Sequence, residues 1–88
     1  MPKNTTQEKR SSKPFQVIRE AIVFEFMPEP EGGYTISVPS LPGCVSYGET
    51  FEEAMAMIKD AMEGWLAVAE QEGVPIPDQF KEIKIAAV

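Results

Sequence analysis

The chain has 88 residues, a net charge of −6, one cysteine and no histidine. This length supports one domain, a lone cysteine excludes an intrachain disulfide, and the missing histidine excludes Ser-His-Asp and Cys-His nucleophile systems. We therefore expect no zinc site and no cofactor, and we expect stabilisation by association with another chain, because a core of this size is thin.

The first 14 residues form a polar, basic segment that ends at Pro14. Residues 1–13 carry four cations and one acid, a net charge of +3, so the rest of the chain carries −9. This composition predicts a disordered leader over 1–14 and one acidic domain over 15–88, which would repel phosphate and attract basic proteins. No apolar run approaches the length of a membrane span, and the unpaired thiol favours a cytoplasmic location.

The predicted strands begin after Pro14. Alternating apolar residues predict a strand from about Val17 to Met27, and a second alternating run extends from Tyr34 to Val38. The loop between them is rich in proline and glycine, which is typical of a turn. The two runs predict an antiparallel hairpin with one buried face.

Residues 40–50 read SLPGCVSYGET and connect this hairpin to a helix. Pro42 and Gly43 suit the central positions of a type II turn, and a short third strand follows it. The predicted core accounts poorly for Leu41, Pro42 and Tyr47. We therefore expect Leu41, Pro42, Gly43 and Tyr47 to contribute to a partner interface.

A long amphipathic helix follows. Thr50 and Glu53 form a capping box, in which the Glu53 carboxylate is expected to reach the Thr50 amide. Apolar residues spaced by three and four predict a helix to about Glu72, ended by Gly73. Gly64, in the middle of this helix, is consistent with a close approach by another backbone or with an ordinary tolerated glycine.

The sequence closes on a predicted strand in which Ile83, Ile85 and Ala87 alternate with less apolar residues. An apolar terminal strand pairs with the edge of its own sheet or with another subunit, so these three residues form a candidate self-association strand. We expect a homo-oligomer, either a dimer or a tetramer. The predicted order is β-β-β-α-β, an α+β fold with one helix covering one face of the sheet.

Carboxylates are the remaining candidates for catalysis. Glu29 and Glu31 lie in the predicted turn, and Glu20 and Glu25 fall on opposite faces of the first predicted strand. Because no set of acids converges on one point, we assign no catalytic and no metal-binding residue. A carboxylate-dependent nuclease remains as a less favoured alternative.

Several linked motifs run through the predicted domain. They are Gly33-Tyr34, Pro39 with Leu41-Pro42-Gly43-Cys44, Gly48-Glu49-Thr50, Glu52-Glu53-Ala54, and Pro75-Ile76-Pro77. In this combination, residues 15–88 resemble the N-terminal domain of HicB-type antitoxins.

The resemblance implies a partial ribonuclease-H-like fold without catalytic acids. It also implies a non-enzymatic protein that sequesters and inhibits a small basic HicA-type toxin, which cleaves mRNA. An orphan HicB-like oligomeric protein of another role is the alternative. Members of the family usually carry a C-terminal DNA-binding segment, and this sequence stops at the predicted last strand, so we expect no direct DNA binding.

Overall fold

The computed structural model describes residues 13–81. They form strands β1 (Phe15–Arg19), β2 (Ile22–Pro28), β3 (Tyr34–Ser37) and β4 (Val45–Gly48), the helix α1 (Phe51–Glu72) and a 3-10 helix (Asp78–Phe80). The strands form one antiparallel sheet in chain order. This confirms an α+β fold in which a long helix follows the strands. The predicted final strand, with Ile83, Ile85 and Ala87, lies outside the described residues, as does most of the predicted leader.

The first predicted strand is in fact two strands. Glu20 and Ala21 have φ angles of 53° and 67°, and this left-handed backbone at two successive residues is the geometry of a type I′ hairpin turn. The turn pairs Arg19 with Ile22. The prediction of one strand from Val17 to Met27 is therefore wrong. The error arose because this turn lacks the Asn-Gly or Asp-Gly pair that normally indicates a type I′ hairpin.

The hydrophobic core lies between one face of the sheet and α1, which packs on β3 and β4. The Phe26 ring stacks on Phe51 at the start of α1, with 4.8 Å between ring centroids, and on Phe15 of β1 at 4.9 Å. The largest fully buried side chains are Phe26, Phe80, Ile22, Ile36, Leu41, Ile58, Leu66 and Val38. The stacked rings thus join β1, β2 and the helix.

Both ends of α1 are capped by the residues that the sequence indicates. The Thr50 hydroxyl accepts a 3.0 Å hydrogen bond from the Glu53 amide, and Gly73 adopts φ 73° at the other end. The Glu53 carboxylate accepts a 2.7 Å hydrogen bond from the Glu49 amide, one residue earlier than the predicted Thr50 amide. Both interactions fix the point at which the chain leaves β4 and enters the helix.

Candidate partner-binding surface

Within residues 13–81, the face of the sheet opposite α1 is not covered by another element. We call this surface the open face. It presents the residues that alternate with the core residues in the paired strands, which are Gln16, Ile18, Val23, Glu25, Met27, Thr35, Ser37, Val45 and Tyr47. The apolar side chains of Ile18, Met27, Val45 and Tyr47 are between 42% and 66% exposed. Exposed apolar groups in such number on one face are typical of a contact surface.

The turn between β3 and β4 is held to the body of the protein by its own backbone and by the helix. The Leu41 amide donates to the Val38 carbonyl and the Leu41 carbonyl accepts from the Cys44 amide, each at 2.9 Å. The Trp65 indole N–H donates a 2.9 Å hydrogen bond to the carbonyl oxygen of Pro42. These contacts fix the turn in one position.

Leu41 is fully buried in the core. The expectation that core packing would not account for this side chain is therefore wrong, because the turn directs Leu41 into the core cluster that includes Ile58 and Leu66 of α1. Pro42 and Gly43 are exposed at the tip of the same turn. Cys44 is also buried, and burial raises the pKa of its thiol. This favours the neutral thiol and agrees with a structural role.

Tyr47 of β4 joins the open face to the loop between β2 and β3. Its hydroxyl donates a 3.0 Å hydrogen bond to the Gly32 carbonyl and lies 3.5 Å from the Glu49 carboxylate. Gly33, at φ 81°, leaves room for the Tyr47 ring, since a Cβ at this position would overlap the phenol. The ring therefore fixes the loop against the end of β4.

The surroundings of Tyr47 are acidic. A shallow cleft is lined by Glu29, Glu31, Gly32, Thr35, Tyr47 and Glu49, and we call it the acidic cleft. The Thr35 hydroxyl donates a 2.6 Å hydrogen bond to the Glu29 carboxylate, which fixes one acid of the cleft. Desolvation raises the pKa of Tyr47, and the negative charges of Glu49, Glu29 and Glu53 raise it further. The phenol is therefore a hydrogen-bond donor at neutral pH.

This arrangement suits a cationic protein side chain better than a metal ion. In the segment from residue 13 to residue 81, no group of three or more His, Cys, Asp or Glu side chains is placed to hold a metal ion. The acidic cleft contains three carboxylates and no cation. An Arg or Lys side chain that entered it would find carboxylate acceptors next to the apolar groups of the open face.

The residues predicted from the sequence thus fall into different settings. Tyr47 lies in the acidic cleft, Pro42 and Gly43 lie on the exposed turn, and Leu41 lies in the core. Sequence analysis missed the carboxylates of Glu29, Glu31 and Glu49 as neighbours of Tyr47. These neighbours could have been inferred by pairing the second and third predicted strands in register. In the structure Thr35 pairs with Tyr47, and this register brings the loop before β3 beside the end of β4.

Comparison with known proteins identifies the family. Residues 21–87 match the model of the HicB_like antitoxin of bacterial toxin-antitoxin systems. The chain therefore belongs to the HicB-like antitoxin family, and the resemblance inferred from its linked motifs is confirmed. No solved structure matches the chain.

Three similar proteins are members of the group named UPF0150. One from Thermoplasma acidophilum is 36% identical over 58 residues, which cover 65% of this chain and 84% of the relative. One from Synechocystis is 36% identical over 71 residues, covering 81% and 87%, respectively. One from Archaeoglobus fulgidus is 38% identical over 66 residues, covering 73% and 93%. These alignments span most of each relative and about two thirds to four fifths of this chain.

The only long helix of the described part, α1, is too polar to cross a membrane.

Proposed function

We propose that the protein is a cytoplasmic, non-enzymatic antitoxin that binds a small basic HicA-type ribonuclease toxin and blocks its cleavage of mRNA. Family membership supports the antitoxin role. The observation that carries the partner assignment is the acidic cleft around Tyr47 at the end of the open face. A protein that binds RNA presents cations to the phosphate backbone, and the same cations are attracted to carboxylates.

The acidic cleft and the open face would make different contributions to toxin binding. Carboxylates at the end of the sheet would attract and orient the toxin's cations, which mainly increases the association rate. The exposed apolar side chains of Met27, Val45 and Tyr47 would then supply the contact area that leaves water on binding. An RNA phosphate backbone would be repelled by the same carboxylates, so the antitoxin would compete with RNA for the toxin without binding RNA itself.

Binding of the full chain to a purified HicA-type toxin from the same organism, measured by isothermal titration calorimetry, tests this proposal. The variant Glu31→Gln with Glu49→Gln removes two cleft charges and leaves the capping carboxylate of Glu53 in place. We expect the dissociation constant to rise by about tenfold or more, with a weaker dependence on salt.

The matched control is Glu52→Gln with Glu63→Gln. It removes the same charge from exposed positions of α1, and we expect binding close to that of the unmodified chain. An equal loss of affinity in both variants would show that net charge alone matters and would contradict the cleft as the contact site. No binding by the unmodified chain would overturn the proposed partner.

A further inference from the structure

Met27 is an exposed methionine on the open face, with 44% of its side chain accessible. The pairing of β1 with β2 begins at Phe15 opposite Phe26, so no paired residue of β1 lies beside Met27. On its other side Met27 pairs with Thr35, and Thr35 pairs with Tyr47. We call Met27, Thr35 and Tyr47 the contact row, because they cross the open face and the last two line the acidic cleft.

The thioether of an accessible methionine is open to oxidation by peroxides. A lone pair of the sulfur attacks one peroxide oxygen, and the O–O bond breaks. With hydrogen peroxide, the hydroxide that leaves takes the proton of the transferred oxygen and departs as water. The sulfur is oxidised to the sulfoxide and the peroxide is reduced, so the reaction needs no further reactant.

The described residues contain four methionines, which lie in two settings. Met55 and Met62 are 5% and 2% exposed in the core, whereas Met27 and Met57 are 44% and 45% exposed. A peroxide can therefore reach the second pair and not the first. Met57 lies on α1, which packs against the opposite face of the sheet from Met27. The two accessible methionines thus differ in position and hardly at all in exposure.

Oxidation would change the chemistry of the contact row. A sulfoxide oxygen is a polar acceptor in place of an apolar group, and burial without a donor is unfavourable. The Thr35 hydroxyl already donates to the Glu29 carboxylate at 2.6 Å, and the Tyr47 hydroxyl donates to the Gly32 carbonyl at 3.0 Å. A hydroxyl has one proton to donate. The row therefore has no free hydroxyl donor for the new oxygen.

The charged groups nearest in the sheet do not compensate for this. Glu25 precedes Met27 by two residues and lies on the same face, and Glu29 follows it in the acidic cleft. Ionised carboxylates accept hydrogen bonds and donate none, so they cannot stabilise a sulfoxide oxygen. Water solvates this oxygen in the free chain, and a partner that packs on the row must remove that water.

We propose that Met27 is a site of oxidative modification and that its sulfoxide weakens the binding of the toxin. This inference rests on the proposed function, in which the toxin covers the open face. Peroxide would release active toxin by oxidising the contact row of its inhibitor. Reduction of the sulfoxide, which dedicated cellular enzymes catalyse, would restore binding.

Peptide mass spectrometry of the full chain during treatment with hydrogen peroxide measures the modification itself. We expect Met27 and Met57 to be oxidised several-fold faster than Met55 and Met62. A saturating amount of HicA-type toxin should slow the oxidation of Met27 and leave that of Met57 unchanged. Oxidation of Met27 as slow as that of Met55 would overturn the proposal, as would a rate at Met27 that the toxin does not alter.

Isothermal titration calorimetry with untreated toxin, after removal of the peroxide, measures the effect on binding. Met27→Leu keeps an apolar side chain and removes the thioether, and Met57→Leu is the matched control. Each protein is compared with itself before and after oxidation, so the effect of the substitution on affinity cancels. We expect the dissociation constant to rise about tenfold or more in the unmodified chain and in Met57→Leu, and by less than about twofold in Met27→Leu.

Unchanged affinity after oxidation of Met27 would overturn the proposal, as would an equal loss of affinity in Met27→Leu. Thermal melts followed by circular dichroism separate a contact effect from a folding defect. We expect oxidation to leave the melting temperature unchanged, and a lower one that Met27→Leu restores would place the effect in folding and contradict the proposal. If the untreated chain did not bind the toxin, the proposed function would fail together with this inference. If only the effect of oxidation were absent, the proposed function would stand.

Discussion

The Trp65 indole N–H and the Pro42 carbonyl oxygen are joined by a 2.9 Å hydrogen bond between the middle of α1 and the turn before β4. The turn belongs to the motif that identifies the family in the sequence, and the tryptophan lies 23 residues further along the chain. The contact therefore links the position of the exposed Pro42 and Gly43 to the packing of the helix.

Replacing Trp65 with phenylalanine should remove this hydrogen bond while keeping an aromatic ring on the half-buried side of α1. We expect the free energy of unfolding to fall by about 1 kcal/mol, because the exposed Pro42 carbonyl can bond to water instead. Urea denaturation of the two proteins measures the difference. Equal stability would show that the bond makes no net contribution.

The turn between β1 and β2 offers a stabilising substitution. Glu20 and Ala21 both have positive φ, a conformation that costs an L residue about 1 kcal/mol. Glu20→Asn with Ala21→Gly supplies the residues that type I′ turns prefer, and we expect the free energy of unfolding to rise by about 1 kcal/mol. Ala67→Gly in α1 is the control and should lower it by a similar amount. A loss of stability in the turn variant would contradict the assigned hairpin.

This turn also shows where sequence reasoning failed. The core-facing residues change from odd positions in β1, Phe15 and Val17, to even positions in β2, Ile22 and Phe24, but Glu20 and Ala21 are not typical turn residues, so composition does not mark the end of β1. The caps of α1 were predictable because Thr50 and Gly73 act through local chemistry. The burial of Leu41 was not, because it depends on the path of a helix that begins ten residues later.

The candidate site was predictable to a similar extent. Tyr47 was named from the sequence, because the predicted core accounts poorly for its side chain. Its neighbours Glu29 and Glu31 are distant in the chain, and the register of β3 with β4 brings them near. A linear motif gives the order of such residues along the chain, but it does not show which loop lies beside which strand in the folded sheet.

The two glycines Gly48 and Gly64 should respond oppositely to alanine. A Cβ at Gly48 would overlap the backbone of Ala54, whereas a Cβ at Gly64 has open space. We expect Gly48→Ala to lower the free energy of unfolding by about 2 kcal/mol or more, since the start of α1 must move. Gly64→Ala should raise it by about 1 kcal/mol through helix propensity. Thermal melts followed by circular dichroism test both, and a tolerated Gly48→Ala would contradict the close packing of α1 on β4.

Tyr47 should titrate at a higher pH than an ordinary tyrosine. Desolvation and the nearby carboxylates of Glu49, Glu29 and Glu53 raise its pKa above the usual value of 10.0. Because the folded state holds the phenol proton more tightly than the unfolded state, its contribution to stability is present below pH 10 and is lost as the pH rises through the higher pKa.

Ultraviolet absorbance of tyrosinate measures this titration. The step that disappears in Tyr47→Phe should lie above pH 10, and the variant should lose less stability than the unmodified chain over that range. If the step that disappears in this variant lies at or below pH 10, the surroundings of Tyr47 do not raise the pKa of its phenol.

The most direct test of the antitoxin assignment is RNA cleavage by a HicA-type toxin from the same organism, with the purified full chain added in increasing amounts. We predict that cleavage falls as the chain is added and stops near one chain per toxin, and that the chain alone with Mg²⁺ leaves the RNA intact. Cleavage that continues at full rate with the chain in large excess would contradict the assignment.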